Sequence, residues 1–117
     1  MTVSIYHNPK CSKSRQALEL LRESGINPEV IEYLKSPPTA EKLKDIITRL
    51  EIKPRDLMRK KESVFSEKNL DNASLSDDEL IGFMIKHPIL IERPIVVANE
   101  KVAIGRPPEQ VLDILNG

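Results

Sequence analysis

Val3-Ser4-Ile5-Tyr6-His7-Asn8-Pro9-Lys10-Cys11-Ser12-Lys13-Ser14-Arg15 carries three signals in succession. Val3 to His7 alternates apolar and polar residues, the period of a short strand. Asn8-Pro9 then reads as a turn. From Ser12 onward Ala17, Leu18, Leu20 and Leu21 supply the apolar stripe of a helix, with Ser12 or a neighbour as its N-cap and Ser24-Gly25 as its stop. Cys11 therefore falls where a helix begins.

Outward from this stretch, residues 28–33 make a second strand candidate, closed by Ser36-Pro37-Pro38. Thr39 caps a second helix with Glu41 in its first turn and Leu43, Ile46, Ile47 and Leu50 as its stripe. The middle, from Pro54 to about Lys86, reads as helical in three pieces, around Leu57-Met58, over Phe65 to Leu70, and from a capping box at Ser76 and Glu79. No strand signal interrupts it. After His87-Pro88 the pattern changes to two β-branched runs, 94–98 and 102–104, separated by Asn99-Glu100-Lys101 as a hairpin. Gly105-Arg106-Pro107-Pro108 introduces a closing helix through Leu115 with Val111, Leu112, Ile114 and Leu115 inward.

This order predicts an α/β protein with a thioredoxin-like, glutaredoxin-type mixed sheet and a helical insertion, about residues 54–87, ahead of the C-terminal hairpin. Arg93-Pro94 fits the same reading, since that fold places a proline, commonly cis, just ahead of the strand facing the active-site helix. A length of 117 residues suits a single domain over 1–117.

Composition narrows the function. Eighteen Lys and Arg balance eighteen Asp and Glu, so no global field favours nucleic acid or an anionic membrane, and any anion site is local. Four aromatic residues and no Trp argue against base-stacking platforms. No apolar run approaches the 18 or so residues of a membrane helix. One cysteine excludes an internal disulfide, a Cys-rich zinc site and a self-contained Cys-x-x-Cys cycle. With no secretory pattern ahead of the first strand, a reducing cytoplasm is the expected location and a monomer the expected state.

Cys11 at a helix start is a candidate nucleophile, because orphan amides favour a thiolate; a buried structural thiol is the other role open to a free cysteine. Lys10, Lys13 and Arg15 add positive charge nearby. Ser14 stands where a Cys-x-x-Cys motif has its second cysteine, and its hydroxyl is placed to donate to the thiolate. Arg15 lies too close to Cys11 for a tyrosine-phosphatase loop, whose arginine comes about six residues after the cysteine. Arg59, Arg93 and Arg106 are candidates for an oxyanion clamp, guanidinium groups offering paired donors to phosphate-like oxygens; for Arg59, within Arg59-Lys60-Lys61, a solvated helix face is the competing reading. His7 either raises the thiolate fraction or relays a proton, or else is a hydrogen-bonded structural residue, and His87 reads as a cap or loop residue. Two isolated histidines make a metal site improbable.

The segment Ile5 to Arg15 resembles the active-site segment of the glutaredoxin-coupled arsenate reductases, the ArsC family. Tyr33-Leu34 with Pro37-Pro38-Thr39, the segment 57–60, His87 to Val97 and Gly105 to Asp113 resemble the family's further blocks, in order, over nearly the whole chain. The resemblance implies that Cys11 attacks arsenate, that Arg59, Arg93 and Arg106 bind the oxyanion, and that His7 and Ser14 assist the cysteine. It implies no bound cofactor: glutathione is the reducing cosubstrate and glutaredoxin the protein partner that resolves the mixed disulfide. A single-cysteine enzyme needs electrons from outside, which agrees. The chain stops at Asn116-Gly117, where the best-known reductases of the family continue, and Lys10 and Lys13 are more cationic than their counterparts; it is similar to a shorter sub-branch. Two other functions share the fold: a regulator resembling Spx, whose usual Cys-x-x-Cys is broken here by Ser14, and a monothiol glutathione-dependent disulfide oxidoreductase acting through Cys11.

Overall fold

The computed structural model describes residues 2–115. Four strands, β1 (Val3–Tyr6), β2 (Glu29–Ile31), β3 (Ile95–Ala98) and β4 (Lys101–Ile104), form one sheet in the order β2-β1-β3-β4. β1 runs parallel to β2, and β3 is antiparallel to both β1 and β4. This is the predicted thioredoxin-like mixed sheet. Helices α1 (Ser12–Glu23) and α2 (Ala40–Leu50) follow β1 and β2, and α3 (Ser63–Glu67) and α4 (Asp77–Lys86) precede the hairpin. The chain divides into two compact units, Met1–Ser36 with Arg93–Gly117, and Pro37–Glu92. α2, α3 and α4 lie in the second unit, the helical unit.

In the sheet unit, Val3 and Ile5 of β1 and Val96 and Ala98 of β3 share one buried cluster with Ala17, Leu18 and Leu21 of α1 and with Val111. Burying a large aliphatic side chain contributes roughly 1.5–3 kcal/mol, so this cluster seats α1 on the sheet. The helix ends as its sequence demands: Gly25 takes φ 81°, its N–H donates to the Arg22 carbonyl at 3.0 Å, and the Ile26 N–H donates to the Leu21 carbonyl at 2.9 Å. These are the paired bonds of a Schellman stop, which needs a residue that tolerates positive φ. The hairpin turns over two residues, Asn99 and Glu100, with Ala98 paired to Lys101 and Asn99 at φ 58°.

The helical unit follows its caps. Thr39 Oγ1 accepts from the Lys42 N–H at 3.1 Å, and Ser76 and Glu79 complete the capping box of α4, each side chain bonded to the other's N–H.

The cap of α1 is Cys11, the neighbour of Ser12, as the sequence allows. Two local expectations are corrected. The closing helix is a 3-10 helix, Pro108–Leu112, because two prolines at its head favour a tight start and the segment continues by i→i+3 bonds from Gln110 to Pro107 and from Asp113 to Gln110; Val111 still points inward. The helical middle also contains an antiparallel bridge, Met58 to Ile91, flanked by Glu92 N–H to Leu57 carbonyl at 2.8 Å and Arg59 N–H to Leu90 carbonyl at 2.7 Å. So short a pairing leaves no period-2 pattern to read.

Candidate active site

β1 delivers its C-terminal end to the start of α1. The His7 N–H continues the ladder to the Ile31 carbonyl at 2.8 Å, and the Cys11 N–H closes the turn on the Asn8 carbonyl at 3.0 Å. Cys11 then sits at the N-cap in extended conformation, φ −97° and ψ 123°, with only 9% of its surface exposed. Burial alone would push its thiol up. The Ser14 N–H, the charge and hydrogen bond of the Arg93 guanidinium and the Lys13 N–H outweigh burial and hold the thiol below its ordinary value. The thiolate is therefore more accessible than in an ordinary buried cysteine.

Both Arg-Pro steps flank the hairpin, and both peptide bonds, Arg93-Pro94 and Arg106-Pro107, are cis. The last hairpin pair is Ile95 with Ile104; two residues beyond the end of each strand come Arg93 and Arg106. The register thus places them opposite each other, and the Arg106 Nε–H donates to the Arg93 carbonyl at 2.9 Å. Arg106 Nη2 lies 3.9 Å from Cys11 Sγ. Gly105 completes the joint. Its N–H donates to the Pro94 carbonyl at 2.9 Å, and a Cβ there would meet Pro94 Cγ at 2.6 Å and Val111 Cγ1 at 3.2 Å.

Ser14 is fully buried and His7 is 6% exposed. Ser14 Oγ lies 2.6 Å from His7 Nδ1 and accepts from the Asn8 N–H at 3.0 Å. Ser14 therefore acts on the thiol through its backbone N–H, while its hydroxyl faces the imidazole. Burial lowers the proton affinity of His7; Glu32 opposes this, and Arg22 and Arg15 reinforce it. The balance favours the neutral imidazole, the form that can take up a proton.

The structure thus gathers Cys11, His7, Ser14, Arg93 and Arg106 at one end of the sheet unit. Arg59 belongs to the helical unit. There its Nη2 pairs with Glu62 Oε2 at 3.1 Å, and its Nη1 reaches the Ile89 carbonyl at 3.4 Å. His87 is the C-cap of α4, in keeping with its reading as a cap. Sequence reasoning passed over Asn8, whose Oδ1 accepts from the Lys10 N–H at 3.0 Å, and Gly105. An Asn opening a turn is a known brace for the backbone two residues on; the glycine's neighbour across the hairpin has no signal in sequence. Among the described residues no group of three or more His, Cys, Asp or Glu could hold a metal ion, and no helix is long and apolar enough to cross a membrane.

The ArsC family model matches residues 6–114. The chain is 54% identical over 114 residues to the uncharacterized protein YfgD of Escherichia coli strain K12, covering 97% of this chain and 96% of that protein. It is 48% identical over 114 residues to an arsenate reductase of Neisseria meningitidis serogroup A, covering 97% of each. Among solved structures, an arsenate reductase from Vibrio cholerae superposes with a TM-score of 0.95 at 54% identity, over 97% of this chain and 98% of that one. The cysteine at the head of α1, the two arginines joined across the hairpin and a match that runs almost end to end lead to one conclusion: this chain belongs to the ArsC family.

Proposed function

We propose that the protein is an arsenate reductase that takes its electrons from glutathione and glutaredoxin. The observation that carries the reading is the joint placement of a thiolate-favouring Cys11 and the Arg106 guanidinium 3.9 Å from its sulfur. Arsenate is an anion near neutral pH, and a thiolate approaching it meets like charge. Guanidinium groups of Arg93 and Arg106 offset that repulsion and the charge that builds in the transition state, with Arg59 as the third oxyanion ligand.

The sequence of bonds follows. Cys11 Sγ attacks arsenic, an S–As bond forms, one As–O bond breaks, and the oxygen leaves as water after taking up protons. His7, neutral and bonded to Ser14, supplies a site for proton exchange beside this step. The thiolate of glutathione then attacks the Cys11 sulfur. An S–S bond forms, the S–As bond breaks, and its electron pair stays on arsenic, so As(V) becomes As(III) and leaves as arsenite. Glutaredoxin reduces the remaining mixed disulfide and restores Cys11. Two thiols become one disulfide for each arsenate reduced. In this reading residues 1–117 act as one catalytic domain with the helices of about 54–87 as an insertion, without a bound cofactor, as a monomer in a reducing cytoplasm, apart from nucleic acid and membrane.

The test is arsenate-dependent NADPH oxidation with glutathione, glutathione reductase and glutaredoxin, run beside Cys11→Ser. The expected result is turnover that requires glutaredoxin and vanishes in the variant. A folded protein with a reactive Cys11 and no arsenate turnover would overturn the reading.

A further inference from the structure

We infer that Asn8 and Arg15 are positioning residues that lock the turn between β1 and α1 and so aim the Cys11 sulfur at the amides of Lys13 and Ser14. The inference rests on the proposed role of Cys11 as nucleophile. It starts from the polar groups of the turn. The Asn8 N–H goes to Ser14 Oγ at 3.0 Å, Asn8 Oδ1 receives the Lys10 N–H at 3.0 Å, and the Pro9 carbonyl receives Arg15 Nη1 at 2.8 Å. The Asn8 carbonyl receives the Cys11 N–H, and the Cys11 carbonyl receives the Arg15 N–H, both at 3.0 Å. Pro9 has no N–H to satisfy. The Pro9-Lys10 peptide group is thus held at both its N–H and its carbonyl by two side chains, one from each end of the turn, and the next peptide is held by the backbone bond from Cys11 to Asn8.

Arg15 is the more informative of the two. A cation in the opening turns of a helix is opposed by the helix dipole, so helix electrostatics does not account for it. Its guanidinium is turned back onto the Pro9 carbonyl instead, which makes it a strut of the turn and not an oxyanion ligand. Rotation of the Pro9-Lys10 peptide would swing the Cα–Cβ bond of Cys11, and a displacement of about 1 Å at a reacting group can cost on the order of 100-fold in rate.

The experiment pairs two readouts in Arg15→Leu, Arg15→Lys and Asn8→Ala. One is the pH profile of Cys11 alkylation by iodoacetamide, a neutral reagent that needs no arsenate; the other is the split between kcat and KM for arsenate. Arg15→Leu is expected to move the alkylation midpoint up and to lower kcat about 10- to 100-fold while KM changes by less than about threefold. Asn8→Ala should do the same to a smaller degree, and Arg15→Lys, which keeps a donor, should recover part of the loss. The shift should persist in ~0.5 M salt, where charges are screened over about 4 Å. A shift that collapses in salt would reduce Arg15 to a point charge and overturn the inference, as would unchanged profile and kcat in both Arg15→Leu and Asn8→Ala. Should Arg15→Leu not fold, Arg15→Lys and Asn8→Ala carry the same comparison. A parent enzyme without arsenate turnover, but with an alkylation midpoint that still rises in Arg15→Leu, would sink the arsenate reading and leave the positioning role standing.

Discussion

Three arginines enter the proposed oxyanion clamp, and the two units hold them in different ways. In the sheet unit, Arg93 and Arg106 stand just beyond the last hairpin pair, Ile95 with Ile104, and the Arg106 Nε–H donates to the Arg93 carbonyl. In the helical unit, Arg59 is held by an ion pair three residues along its own chain, with Glu62, both side chains about one-fifth exposed. A part-exposed pair of this kind is worth only about 0.2–1 kcal/mol, whereas register is fixed by every buried residue of the strands. The lesson is that the same guanidinium chemistry is a rigid element in one unit and an adjustable one in the other.

The sharpest way to break this contrast is truncation. Arg93→Ala or Arg106→Ala is expected to lower kcat/KM for arsenate by roughly 100- to 1,000-fold, as for loss of one oriented donor to a developing charge. Arg93→Ala should also raise the pH midpoint of Cys11 alkylation, because the Arg93 charge favours the thiolate. The stability consequence has a definite sign. The folded state holds this thiol below its unfolded value, so the thiolate contributes stability that is complete above the unfolded value and is lost as pH falls through the folded one. Removing Arg93 raises the folded value and shrinks that contribution. Arg59→Ala should act mainly on KM and leave the alkylation midpoint in place; a midpoint shift equal to that of Arg93→Ala would erase the distinction between the units.

A smaller effect is expected at the joint of the hairpin. Gly105→Ala drives a Cβ to 2.6 Å from the Pro94 ring, and overpacking of this kind costs about 1–3 kcal/mol. Thermal unfolding should report it as a Tm lower by several degrees, and a Tm within one degree of the parent would mean that the joint yields easily. The smallest effect sharpens the comparison from the other side. Glu62→Gln should change stability by less than about 1 kcal/mol and lower the KM for arsenate a few-fold, since the carboxylate no longer competes for Arg59. A higher KM would show that Glu62 orients Arg59 instead.

The sheet unit was legible in sequence because its signals are local and mutually consistent. Alternation over Val3 to His7, the Asn8-Pro9 turn, the stripe of Ala17, Leu18 and Leu21 and the stop at Gly25 all point the same way. The capping box of Ser76 and Glu79 was legible for the same reason. What escaped depends on partners distant in the chain or on spacing too short for a period. The Met58 to Ile91 bridge is one such case, and the dependence of Gly105 on Pro94 is another. The site divides similarly. Cys11 could be placed by its neighbours alone, yet the direction of the Ser14 hydroxyl, toward His7 rather than toward the sulfur, is set by which face of α1 lies against β1. The pairing of Arg59 with Glu62 spans the turn ahead of α3, where no helical spacing announces it.

The hairpin carries a rule about length. Arg93 and Arg106 lie equal distances before and after the two-residue turn at Asn99 and Glu100, so their opposition is a matter of parity. One residue added to or removed from either strand would turn the following side chain to the other face and separate the two guanidiniums. Two residues added symmetrically would lengthen the arm and keep them facing. Insertions in this hairpin should therefore be tolerated when matched on both strands and rejected when confined to one, which makes it a counting device for the site at its base.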